Sequence, residues 1–409
     1  MTGQLGQMQL LIVSHVTHFR VGNQLYAYGP YSQEIDLWAD LFQRITIAAP
    51  CRHETPPGDC LPFTRGNIEI SPQMEAGGET FASKFKLALA TPLLMASLAR
   101  AMWSADAIHV RCPGNLGLLG AVLAPLFSKR LVAKYAAQWS TSTGEIWSSR
   151  WQKNILRSRW WKGPVTVYGE WPGQPPQVIP FFTSLLTAEH MERARIASTR
   201  KIDAKPLRVL FAGRLSKPKN VDVLLKAVSR NREAGRDVRC TIVGDGPQRG
   251  PLEVLAGELG ILKAVEFTGA LGFDSVIRHL EQSDVLALVS EAEGWPKAIA
   301  EGMAFGLVCI GSDRGFVPKM LSDGRGLTVA PGDADALGNL LAEISKHPDQ
   351  YATMRRSAAD WSQQYSLEGL REAIRTLLLD KWGLSQAVTS SKTASVAAGE
   401  HPTVEHASK

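Results

Sequence analysis

Two glutamates eight residues apart, Glu293 and Glu301, have the type and spacing to grip a polyhydroxylated, anionic ligand such as a sugar nucleotide. The segment before them, Val285 to Val289, is an unbroken apolar run, as expected of a parallel strand buried on both faces. The run breaks at Glu293-Gly294, and Pro296 suits the first position of a helix, where a missing N–H costs nothing. Glu293 is therefore expected in the loop at the carboxyl end of a strand, and Glu301 about one turn into the next helix. In an open α/β sheet that edge is where ligands bind. Free N–H groups at the helix start would add attraction for an anion.

A second constellation is Phe211-Ala212-Gly213-Arg214-Leu215-Ser216-Lys217-Pro218-Lys219-Asn220-Val221. A strand ends in Gly213, a basic loop follows, and a helix begins near Val221. Arg214 can bind a diphosphate in bidentate fashion and Lys219 as a point charge. Gly244 and Gly246 end a further strand and would let backbone approach a ligand closely. With Gly250 they form G-x-G-x3-G, a near miss to a dinucleotide fingerprint, and they follow the second strand of their half instead of the first. In the first half, His109 and Arg111 close a strand and are candidates to touch the reacting group or an anion, while His15 and His18 share the loop after the first strand. Asp333-Ala334-Asp335 has the look of a D-x-D metal site, but it opens a helical pattern, where capping explains an aspartate.

The stretch from Glu293 to Glu301, continued by Ala304-Phe305-Gly306-Leu307-Val308-Cys309-Ile310-Gly311-Ser312-Asp313, resembles the E-x7-E signature of retaining glycosyltransferases of family 4. Gly213-Arg214-Leu215 with Lys219 is similar to that family's G-R-L-x3-K motif. The resemblance implies a GT-B fold, two Rossmann-like domains facing a central cleft, with a nucleotide diphosphate sugar as donor substrate, no bound cofactor and no catalytic metal. It implies that Glu293 faces the donor sugar and Glu301 holds the ribose diol. Arg214 and Lys219 would neutralise the diphosphate. Gly213, Gly244, Gly246 and the turn Gly294-Trp295-Pro296-Lys297 would line the donor site, and the loop after Phe267-Thr268-Gly269 the nucleobase. Reaction on the face of the departing phosphate, which helps deprotonate the acceptor, needs no protein nucleophile. The acceptor would be a saccharide or lipid-linked sugar in polysaccharide or glycolipid assembly. Several positions depart from the family. Asn220 stands for a glycine, and Arg111 for the second histidine of a His-x-His-like motif. Gly29-Pro30 stands for a glycine-rich turn, and Arg314-Gly315-Phe316-Val317-Pro318-Lys319 where Gly-Gly and Pro-Glu are usual. Two other classes stay open: a GT-B sugar-nucleotide epimerase, for which no acid/base set stands out, and a non-catalytic nucleotide-sugar-binding subunit.

The elements that must position these residues alternate strand and helix in two series. The first has strands at Gln9–Val13, 45–49, 107–111, 130–135 and 165–168, with helices over 32–42 and 84–103. The second has strands near 207–212, 238–243, 265–268, 285–289 and 307–311. These predict an acceptor domain over 8–182, a linker over 183–206, a nucleotide-sugar domain over 207–365, a helix over 366–383 crossing back to the first domain, and a disordered Ser/Ala/Thr-rich tail over 384–409.

At 409 residues the chain accommodates two such domains, and 44% apolar with 21% charged residues is ordinary for a globular protein. No run reaches the roughly 18–20 apolar residues of a membrane span. The first ten residues lack a signal peptide's pattern, and Met8 could be the true start. Five scattered cysteines without C-x-x-C spacing fit reduced thiols in the cytoplasm. A net charge of +6 permits attraction to anionic membranes, and no nucleic-acid-binding signature accompanies it. Trp147 to Lys162 is basic, tryptophan-rich and free of acids. It suits the interface of an anionic bilayer at the inner face of the cell membrane; alternatively its indoles pack inward and its cations are solvated.

Overall fold

A computed structural model describes residues 4–75, 81–140, 146–202, 205–291 and 293–384, with backbone only for 81–88. The tail expected to be disordered, from 385 onward, lies outside the described residues, as do Asp203 and Ala204 of the expected linker. Two parallel sheets carry the molecule. The first runs, in spatial order, Val178–Phe181, Val165–Tyr168, Leu131–Tyr135, Ala107–Cys112, Gln9–Val13, Arg44–Ala49 and Ile68–Pro72. The second runs Val265–Gly269, Val238–Val243, Leu207–Ala212, Val285–Leu288, Val308–Ser312 and Leu327–Val329.

Both sheets are doubly wound, so strand order reverses beside the first strand of each. In the first sheet the reversal lies between Gln9–Val13 and Ala107–Cys112. In the second it lies between Leu207–Ala212 and Val285–Leu288. The loops that leave these strands at their carboxyl ends must diverge there, which opens a crevice at each point. The strands Val285–Leu288 and Val308–Ser312 are buried along their whole length, as the apolar run at Val285 requires.

A small third sheet, absent from the sequence reading, joins His18–Val21, Gln24–Tyr28, Cys51–Arg52 and Cys60–Pro62 beside the first sheet. Within the stretch read as a linker, Ala188–Ser198 forms a helix. Thr187 starts it with a capping box: its hydroxyl accepts from the His190 N–H, and the His190 ring accepts from the Thr187 N–H. Met191 and Ala194 join the core of the second domain, so this helix packs there. The helix Leu367–Trp382 packs on the first domain. Leu370, Ile374, Leu378 and Leu379 enter the first domain's core, and the Trp382 indole N–H donates to the Leu131 carbonyl at 3.1 Å. All five cysteines are unpaired thiols. Among the described residues, no helix is long and apolar enough to cross a membrane.

Candidate active site

The loops at the second sheet's reversal carry most of the residues singled out in the sequence. Gly213 ends its strand, and the exposed Arg214 side chain makes no ion pair with any described residue. A one-turn segment, Lys217–Lys219, leads into the helix Val221–Glu233. Asn220 between them is left-handed (φ 50°, ψ 41°), a conformation that asparagine tolerates better than most residues. This explains how Asn220 stands where a glycine was expected. Its side-chain amide donates to the Val289 carbonyl at 3.1 Å and to Glu291 at 2.9 Å, and the Glu291 N–H donates to the Pro218 carbonyl. The two loops flanking the crevice are thereby tied together.

Across that crevice the Lys219 ammonium donates to the Glu293 carboxylate at 2.5 Å, and both side chains are largely shielded from solvent. Glu293 is held from behind: its carbonyl accepts from the Phe316 N–H at 3.0 Å. Gly315 makes that approach possible. It is left-handed at φ +63°, and a Cβ there would meet the Glu293 carbonyl oxygen at 2.3 Å. The loop that departs from the family pattern is thus the one that aims Glu293.

The helix Lys297–Ala304 begins directly after Pro296, one position later than expected. Glu301 lies on its inner side, only 7% exposed, and its carboxylate makes no hydrogen bond or ion pair with a described residue. Burial pushes its carboxyl up to about 7, against the partial relief that Lys297 provides. The first domain reaches the same place. Tyr28, at the end of the small sheet, has its phenol raised by burial and by the charges of Asp59 and Glu301, while Arg214 opposes them.

Gly244 and Gly246 do not open space for a ligand. A Cβ on Gly244 would sit 1.9 Å from the Gly213 carbonyl oxygen, and one on Gly246 would sit 2.4 Å from that of Leu215. Their physical role is to let one loop lie flat on the backbone of the Arg214 loop, where the Leu215 N–H donates to Asp245 and the Gln248 N–H to Leu215. Gly294 and Trp295 sit at the boundary between the domains. A Cβ on Gly294 would meet the Ala137–Gln138 backbone at 3.0–3.2 Å. Trp295 stacks on Phe316 at 5.6 Å and meets Tyr168, Phe182, Trp361 and Tyr365, an aromatic cluster between the domains.

The first domain treats its candidates differently. His109 lies mid-strand, fully buried and stacked on Trp38 at 4.3 Å, with neither ring nitrogen hydrogen-bonded. Burial and the neighbouring Arg111 charge hold it neutral. It has no face to offer a substrate. Arg111 is buried too: its guanidinium donates to Glu34 at 2.6 Å and lies over the Tyr31 ring. Lys134 donates to the second Glu34 oxygen at 2.7 Å. Burial opposes the Glu34 charge, yet Arg111 and Lys134 outweigh it and keep the carboxyl well below the usual range. His18 is buried in the small sheet, stacked on Phe63, and burial pushes it down to about 4. His15 instead stays exposed and lines a cavity of about 450 Å³ with Thr17, Pro113, Gly114, Ser148 and Gln152, at the first sheet's reversal. Tyr28, Glu34 and Lys134 were missed in the sequence; for Lys134 a signal existed, a lone cation inside the apolar strand Leu131–Tyr135.

Residues 192–361 match the family model Glycosyl transferases group 1. The matched stretch takes in the helix Ala188–Ser198 from Glu192 onward and the whole second sheet. Among curated relatives, the chain is 28% identical over 177 residues to an alpha-D-kanosaminyltransferase of Streptomyces kanamyceticus, covering 43% of this chain and 46% of the relative. It is 27% identical over 178 residues to a GDP-mannose-dependent alpha-(1-6)-phosphatidylinositol monomannoside mannosyltransferase of Mycolicibacterium smegmatis, covering 42% and 46%. The chain thus spans less than half the length of the curated relatives it matches. More than nine-tenths of the chain superposes on solved structures. HepE from Anabaena, in complex with UDP and glucose, gives a TM-score of 0.66 at 16% identity over 91% of this chain and 99% of that one. A sucrose-phosphate synthase from Thermosynechococcus elongatus gives 0.68 at 19% over 93% and 100%. At such identities the likeness shows the fold: the chain has the GT-B architecture of two Rossmann-like domains. Within the matched stretch, Arg214, Lys219, Glu293, Lys297 and Glu301 come together at one strand-order reversal. Asp333 and Asp335 do not join them. Asp333 caps its helix by accepting from the Ala336 N–H, and Asp335 pairs with Arg230.

Proposed function

We propose that the chain is a retaining glycosyltransferase that moves a sugar from a nucleotide diphosphate sugar to a saccharide or lipid-linked acceptor in polysaccharide or glycolipid assembly. The observation that carries this reading is the group of charges at the second domain's reversal: the cations Arg214 and Lys297, unpaired among the described residues, the Lys219–Glu293 pair, and the buried Glu301 carboxyl, which has no hydrogen-bond partner among them. A carboxyl of that kind suits a ligand with two adjacent hydroxyls, as a ribose presents. The cations suit a diphosphate whose charge grows as the sugar departs, and stabilising developing charge is commonly the largest catalytic contribution.

In this reading the incoming diphosphate shares Lys219 with Glu293, which frees the Glu293 carboxylate to turn toward the sugar hydroxyls. Tyr28 closes the donor cleft from the first domain. No protein nucleophile or resident metal enters the scheme: the leaving phosphate takes up the acceptor proton, and charge neutralisation falls to Arg214, Lys219 and Lys297. The cavity at His15 is open to the acceptor. His109, packed on Trp38, and Arg111, paired with Glu34, serve as structure in this scheme.

A thermal-shift screen against UDP, GDP, ADP and their sugars, run with and without chelator, tests the donor site. One nucleotide should raise the melting temperature by mass action whether or not chelator is present. Arg214→Ala should weaken that nucleotide's binding by about 1.5–3 kcal/mol, the scale of a hydrogen bond to a charged group. No response to any nucleotide, or an unchanged affinity in the variant, removes the donor reading.

A further inference from the structure

Three helices lie side by side on one face of the first sheet: Phe81–Trp103, Asn115–Phe127 and Trp147–Arg157. Each buries one stripe against the sheet, through Leu94, Leu98 and Met102 on the first, Leu116 and Ala124 on the second, and Leu156 on the third. The opposite stripes should be polar in a helix that faces only water. They are not. On the first helix the outward positions are Leu89, Leu93, Ala96, Arg100 and Trp103, which recur at helical spacing, and Trp103 is 85% exposed. Leu126 is exposed on the second. On the third, Trp147 and Trp151 are one turn apart, 67% and 57% exposed, and meet edge to face at 5.9 Å. Trp160 follows, also exposed, with its indole N–H bonded to the Val122 carbonyl of the second helix.

The charge around these residues is one-sided. Between residues 81 and 163 fall twelve Lys and Arg but only two Asp and Glu, in a chain that has 45 and 39 in all. Arg100, Lys129, Arg150, Arg159 and Lys162 are exposed beside the indoles and leucines. Exposed tryptophans flanked by cations match the headgroup layer of an anionic membrane: the ring lies at the boundary, and the cations meet lipid phosphates. Large contiguous apolar patches on soluble chains commonly mark a docking site.

We propose that the outer face of these three helices docks on an anionic lipid bilayer. The surface is continuous with the cavity in the first domain. Ile146, Ser148, Ser149 and Gln152, at the start of the tryptophan helix, form one wall of the space that His15 and Gly114 line from the other side. A chain docked through Trp147 and Trp151 therefore holds the mouth of this cavity against the headgroups. This consequence rests on the transferase reading: the acceptor would be a sugar attached to a membrane lipid, presented from the bilayer.

Co-sedimentation of the full chain with vesicles tests the surface without any assay of transfer. The chain should partition onto vesicles of phosphatidylcholine with phosphatidylglycerol and at least tenfold less onto phosphatidylcholine alone. Trp147→Ser with Trp151→Ser, and separately Arg150→Glu with Arg159→Glu, should each reduce partitioning about tenfold. Both variants should keep the nucleotide-dependent thermal shift, which shows that they fold and keeps the donor site a separate question. Three results overturn the proposal: no partitioning of the parent chain, equal partitioning of parent and variants, or a dimer in solution that the tryptophan variant dissolves, since a second copy would then be what covers the patch.

Discussion

The two domains share a topology and place a buried glutamate near each strand-order reversal, yet the two glutamates live in opposite electrostatic worlds. Glu34 is clasped by Arg111 and Lys134, and its carboxyl is held low. Glu301 is equally shielded but its side chain makes no hydrogen bond with a described residue, and its carboxyl is pushed up to about 7. In the first domain the charges satisfy one another below the surface and work as structure. In the second, Arg214 and Lys297 are unpaired among the described residues and Glu301 lacks a partner. A doubly wound sheet supplies a crevice in either case. Polar groups left without partners distinguish a place that awaits a ligand from one that is already complete.

Substitutions can break this contrast. Glu34→Ala should have the largest effect, a loss of about 3–5 kcal/mol, because it strands two buried cations. Urea unfolding measures it, and an unchanged midpoint would mean that Arg111 and Lys134 find other partners. The sign with pH is defined: a carboxyl held low when folded contributes fully above its ordinary value of 4.5 and less as pH falls below it. Stability of the parent chain should therefore drop in acid, and the variant should lose part of that slope. Glu293→Ala should leave folding intact and reduce turnover about 10²–10³-fold, the loss seen when one group that stabilises a transition state is removed. Near-normal turnover would sink the role given to Glu293 and leave Lys219 as a structural partner.

Glu301 gives the smallest effect and the opposite sign. Its folded carboxyl binds a proton more tightly than the unfolded one, so stability should fall as pH rises from 4.5 toward 7. The loss is about 3 kcal/mol at most, and Glu301→Gln should flatten it. If the slope persists in that variant, another group sets it. A nucleotide that satisfies Glu301 should also flatten the slope, which would sharpen the contrast with Glu34.

The part of the site that could be read from the chain is the part built from local order. An apolar strand, a break at Glu293-Gly294 and a helix after Pro296 place Glu293 and Glu301 to within a residue, because each signal acts over a few neighbours. The same holds for Gly213, Arg214 and Lys219. The helix at 188–198 escaped notice because its polar, basic composition hides the buried positions Met191 and Ala194. The small sheet escaped because its strands are two to five residues long and one mixes parallel with antiparallel partners.

Residue type and spacing were thus enough for the doubly wound architecture and for the loops at the second crevice, since periodicity and chain breakers act locally. Only the tertiary structure could decide what each polar group finds. Arg111 and Lys134 meet Glu34 from 77 and 100 residues away, and Lys219 meets Glu293 from 74. His109 is sealed beneath Trp38, and the backbone of Gly213 and Leu215 fills the space that Gly244 and Gly246 leave open. Burial and charge pairing depend on which distant strands end side by side, and no local pattern in the chain encodes that.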